Sequence, residues 1–147
     1  MRQKLLALSL SFGSICFAAE SPVETIFQCE NMRGYSYYFS SAVVTEDESG
    51  LVKDGFTGSV FTMTRASNDL NLTNKTQGNI VSAKDKGATI MLIGDAGGAV
   101  LSYLVNYPVR NILEIYTYSE STKKLTLLIQ NLSGIFIKSS IYVGECA

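Results

Sequence analysis

The chain reads as an all-β domain: a single small antiparallel barrel or meander of about eight strands closed by a terminal disulfide, with a β-sandwich as the alternative. Three observations predict this. Short runs of aromatic and β-branched residues recur at close spacing, punctuated by Gly-, Asn-, Asp- and Ser-rich turns. Beyond the N-terminal segment no long window keeps a helical period. One cysteine lies near each end of the remaining chain, Cys29 and Cys146.

Taken in order, residues 25–30 and 35–44 are aromatic and β-branched stretches separated by Asn31-Met32-Arg33-Gly34, and they predict a hairpin. Residues 45–50, Thr-Glu-Asp-Glu-Ser-Gly, form an acidic loop. Residues 51–55 and 58–65 read as the next strands, and residues 69–73 fit either strand or loop. Two short strands, 80–83 and 88–93, are joined through Lys84-Asp85-Lys86-Gly87, whose composition favours a tight turn. Gly94-Asp95-Ala96-Gly97-Gly98 is a turn rather than a phosphate loop, because no Lys-Ser/Thr pair follows it. Residues 99–107 alternate as a strand does, although a short amphipathic helix also fits so brief a run. Residues 112–118, 124–130 and 136–143 predict three consecutive strands of a meander.

Residues 1–18 have the form of a secretory leader, with Arg2 and Lys4 followed by an apolar stretch from Leu5 to Phe17. Cleavage after Ala18 places the small Cys16 two positions before the last leader residue, and the stretch, broken by Ser9, Ser11, Gly13 and Ser14, is too short to span a bilayer. The expected product is a single all-β domain over residues 19–147, periplasmic or secreted. In an oxidising compartment an even cysteine pair predicts a disulfide, here Cys29 with Cys146. That bridge would bring the first and last strands side by side.

Composition narrows the function. Twelve basic residues against thirteen acidic ones give a net charge of −1, and losing Arg2 and Lys4 with the leader makes the mature chain mildly acidic. Nucleic-acid binding by phosphate neutralisation does not fit this balance. With no histidine, Ser-His and Cys-His nucleophile pairs and His-ligated metals are excluded. No metal or cofactor is expected. Glu46-Asp47-Glu48 and Asn68-Asp69 with Asn71 lack calcium-loop spacing. Three Asn-x-Ser/Thr triplets, at Asn71, Asn74 and Asn131, match the glycosylation acceptor pattern. Glu114 shares a strand face with Tyr116 and Tyr118, which predicts an outward, partly polar face. Tyr35, Tyr37, Tyr116 and Tyr118 are the candidate binding surface, since tyrosine couples a large apolar ring to a hydroxyl.

The order of leader, Phe27-Gln28-Cys29, the aromatic segment 35–39 and the closing Ile141-Tyr142-Val143-Gly144-Glu145-Cys146 resembles small exported bacterial β-barrel proteins of unassigned function. The resemblance implies a β-meander with a cysteine near each end. A fainter resemblance is to the small periplasmic β-barrels that inhibit lysozyme, which also open on an aromatic-x-Cys segment. Their Ser-Gly-x-x-Tyr loop has two partial counterparts here. Thr57-Gly58-Ser59-Val60-Phe61 lacks the serine and tyrosine, and Ser133-Gly134-Ile135-Phe136-Ile137 lacks the aromatic at the final position. The expected function is therefore a non-enzymatic module that binds a small ligand or protein partner in the cell envelope. Inhibition of a lysozyme or wall hydrolase is the alternative, and a carboxylate-dependent enzyme is the third.

Overall fold

A computed structural model describes residues 22–147, and the expected leader with its Cys16 lies outside them. The described chain forms nine strands: β1 (Val23–Tyr38), β2 (Gly50–Ala66), β3 (Asp69–Thr76), β4 (Asn79–Ser82), β5 (Thr89–Asp95), β6 (Val100–Tyr107), β7 (Ile112–Ser119), β8 (Lys124–Asn131) and β9 (Lys138–Cys146). They build one antiparallel sheet in the order β4-β3-β2-β1-β9-β8-β7-β6-β5, curled into a half-barrel. Every neighbour in this order is also a neighbour in sequence except β1 and β9, so the meander is joined through its two chain ends. The sandwich alternative needs two sheets, whereas these strands share one.

The Cys29–Cys146 disulfide fastens that central joint. The two cysteines are cross-strand partners in the β1–β9 ladder, and the bridge spans a sequence separation of 117. Residues 99–107, which also fitted a helix, lie in strand β6 and its approach. Residues 69–73 extend into all of β3.

Two expected breaks are not breaks. The segment Asn31-Met32-Arg33-Gly34 does not reverse the chain, and β1 runs through it without interruption. Asn31 takes a left-handed conformation (φ 55°), and the ladders to β2 and to β9 both shift register there. This is the geometry of a bulge, which bends a strand and increases its twist without ending it. Opposite it, the two strands expected at 51–55 and 58–65 are one continuous β2, in which Gly58 (φ 70°) absorbs the matching irregularity. Gly34 is needed for a second reason, because a Cβ there would collide with the Ile141 carbonyl of β9.

Side chains alternate across the sheet as the pleat requires. The concave interior is filled by Phe27, Met32, Phe61, Met63, Leu125 and Leu127 together with the aromatic residues Tyr103, Tyr116, Tyr118 and Tyr142. Phe27 packs 5.5 Å from Tyr118, and Phe56 bridges Phe61 at 5.3 Å and Tyr142 at 4.8 Å between ring centroids. Of the four buried tyrosines, Tyr116 and Tyr142 turn their hydroxyls to polar groups of the interior, whereas Tyr118 reaches the exposed Glu120 at the rim. That polarity shapes what lies there.

Candidate functional site

One set of interior polar groups gathers on the β1–β2–β9 side. Asp54 on β2 lies beside Gly34 of β1, which in turn pairs with Tyr142 of β9. Its Oδ2 accepts hydrogen bonds from Ser36 Oγ at 2.6 Å, the Tyr142 hydroxyl at 2.7 Å and Lys138 Nζ at 3.2 Å, while the Gly55 N–H donates to Oδ1 at 2.7 Å. Ser36 Oγ also lies 2.7 Å from Ser140 Oγ. Burial works against ionising Asp54, but the hydrogen bonds from Ser36, Tyr142, Gly55 and Lys138 outweigh it and hold the carboxyl well below its ordinary range. Ser36 is fully buried and committed to these partners, so no substrate reaches it as a nucleophile. The cluster is a satisfied network, buried at Ser36 and Tyr142 and open to solvent at Asp54 and Lys138, whose side chains are 28% and 22% exposed.

The second set lies across the interior on β6 and β7. Tyr116 donates to Glu114 Oε2 at 2.8 Å, and the Tyr107 phenol lies near the same carboxylate. Burial raises the Glu114 carboxyl above its usual value, and the opposing influence of Tyr116, Tyr107 and Lys86 does not cancel that rise. Burial and the Glu114 charge push the Tyr116 phenol well up. A cavity of about 130 Å³ adjoins the carboxylate, with Asn74, Lys86 and Arg110 also on its walls. The expectation of an outward Glu114 is thus corrected. Its strand alternates with Leu113 and Ile115, and it is those two that face out, while Glu114 shares the interior face of Tyr116 and Tyr118.

The outer face of the sheet carries the other feature. Cross-strand registers place Tyr35 beside Ile141, Ile141 beside Leu128, and Leu128 beside Ile115. The row continues through Leu104 to Met91 on the β5 edge. A second row begins with Leu51 and Tyr37 and reaches Leu113 through Ser139 and Gln130. Leu51 is 67% exposed, Tyr35 50%, Ile141 47% and Leu128 42%. The two rows line a shallow groove of about 430 Å³ whose walls are chiefly apolar. Tyr37 stacks edge-on against Phe39, 5.0 Å between centroids, which extends the aromatic end of the patch.

The four candidate tyrosines therefore separate. Tyr35 and Tyr37 stand together on the outer groove, whereas Tyr116 and Tyr118 are 1% and 2% exposed and belong to the core. Tyr118 spends its hydroxyl on Glu120 at 2.7 Å. Leu51, Leu113, Leu128 and Ile141 are groove residues that the sequence reading passed over. Their signal was present in Leu127-Leu128-Ile129 and Ile112-Leu113, where consecutive apolar residues replace the alternation of a strand with one wet face.

Compared with protein-family models, curated protein sequences and solved structures, the chain finds no match in any of the three.

Proposed function

We propose that the protein is a non-enzymatic binding module that receives an apolar ligand or partner on the outer face of its sheet. The observation that carries this reading is the largely apolar patch around Tyr35, Tyr37, Leu51, Leu128 and Ile141, exposed on a sheet whose other face already holds the core. Exposing so many contiguous large side chains to water is unfavourable unless something covers them. By contrast, the interior polar groups are tied into hydrogen bonds with one another. The leader pattern of residues 1–18 and the Cys29–Cys146 bridge support a site of action outside the cytoplasm.

Nile red fluorescence tests the binding reading. The native protein is expected to enhance and blue-shift the dye, and Leu128→Glu, which places a charge in the middle of the patch, to weaken dye binding by about tenfold or more. Native protein that leaves the dye dark rejects the reading. For export, the intact mass of protein recovered from the cell envelope should match residues 19–147 less two hydrogens. A mass retaining residues 1–18 would rule out the cleaved leader.

A second reading, inhibition of a wall hydrolase, draws on the loop between β8 and β9. Ile135 and Phe136 are 62% and 46% exposed there, within the 133–137 segment that resembles the inhibitory loop. An excess of protein that leaves several lysozyme types fully active disposes of it.

A further inference from the structure

We propose that the occupant of the outer groove is a free long-chain fatty acid, lying across the strands with its carboxylate at Lys53 and Arg33. This rests on the binding-module reading and adds the chemistry of the ligand.

The dimensions come first. The groove crosses β2, β1, β9, β8 and β7, and with neighbouring strands about 4.8 Å apart its floor is about 19 Å long. One leaflet of a bilayer's hydrocarbon core is about 15 Å deep, so an acyl chain that fills a leaflet fits along this floor. The volume of about 430 Å³ lies in the range of small-molecule sites. The floor is narrow and linear, formed from one row of side chains with a second beside it, which matches a single chain better than a broad protein surface.

The charge pattern then fixes the head group. Beyond Tyr35 the first row ends on Lys53, its cross-strand partner on β2. The next row towards the bulge pairs Gly55 with Arg33 and Arg33 with Val143 and continues through Thr126, Thr117 and Ser102. Over these three outer rows the charged residues are Lys53 and Arg33, both cationic and both at the β1–β2 end; in the row beyond, Glu145 lies near Arg33 but is ion-paired with Lys124 at 2.7 Å, so this end of the sheet keeps an excess of positive charge. An apolar track ending in two like charges is complementary to a molecule with an apolar tail and an anionic head. A neutral hydrocarbon would leave that end unused, and a cationic amphiphile would be repelled from it.

The experiment is displacement of Nile red by palmitate, kept below its micellar range, and by hexadecanol, which has the same chain length and no charge. Palmitate is expected to displace the dye, with hexadecanol about tenfold weaker. Replacing the cations in Lys53→Gln/Arg33→Gln should weaken palmitate by about tenfold, to the level of hexadecanol, with hexadecanol itself little changed. Leu128→Glu should abolish binding of both, with light scattering confirming a monomer throughout. Dye that binds but is not displaced by palmitate overturns the fatty-acid assignment while leaving the binding module intact. So does equal displacement by palmitate and hexadecanol, or a dimer that Leu128→Glu dissociates, which would make a second copy the occupant. Dye that never binds removes the module and the ligand together.

Discussion

Two carboxylates withdrawn in part from solvent, Asp54 less than Glu114, show how neighbours decide whether such a charge helps or harms. Asp54 is ringed by donors, and its folded pKa lies below the unfolded value of about 3.9. Its contribution to stability is therefore complete above that pH and is lost as the pH falls towards the depressed folded value. Asp54→Asn should cost about 2–3 kcal/mol near neutrality, because Ser36, Tyr142 and Lys138 lose a charged acceptor, and the gap to the native protein should close in acid. Glu114 is the reverse. Burial raises its folded pKa, so its cost is absent below the unfolded value of about 4.3 and grows as the pH rises through the folded value. Glu114→Gln retains an acceptor for Tyr116 and should be more stable than the native protein at neutral pH, with no difference in strong acid. Urea unfolding of both variants from acid to neutral pH tests the pair, and curves that stay parallel to the native one would refute the assigned roles. The sequence marked Glu114 but not Asp54. Asp54 is tied to residues 18, 84 and 88 positions away, and no local pattern records such distances.

At the scale of elements, the bend in β1 positions everything else. Asn31 and Gly34 carry the composition of a turn, and a turn is what the sequence predicts there. A bulge uses the same residue types, and the choice between them is made by β2 and β9 pairing across the segment from far along the chain. The later strands were legible because their turns are short and their partners are adjacent in sequence. The close approach of β9 to β1 makes a sharp prediction: Gly34→Ala should destabilise by about 3 kcal/mol or more, since the added methyl meets the Ile141 carbonyl rather than a movable side chain. Gly58→Ala has open space around it and should incur only the smaller strain of a left-handed residue. Comparing the two midpoints in denaturant checks this, and equal losses would mean that backbone conformation, not the collision, sets the cost.

For the whole molecule, the decisive contact is between the two ends of the chain. β1 lies between β2, its sequence neighbour, and β9, the last strand, so the half-barrel has a local half and a non-local joint. Closing that joint is entropically the most expensive step of the fold, because it brings together residues separated by nearly the full length of the described chain. The Cys29–Cys146 bridge carries that cost in the unfolded state, where a closed loop of 117 residues has fewer conformations to gain. The chain-entropy relation puts the effect at about 4–5 kcal/mol, a large share of the 5–15 kcal/mol typical of a domain. The β1–β9 ladder from Arg33 to Tyr38 and the packing of Met32 against Gly144 do not depend on the bridge. Cys29→Ser/Cys146→Ser should therefore still fold at low temperature but melt about 10–20 °C lower than the oxidised protein, and reductant should lower the native protein by a similar amount and leave the variant unmoved. A variant that melts with the oxidised protein would show that the ladder alone holds the ends together, and the joint would then owe its stability to hydrogen bonds and packing.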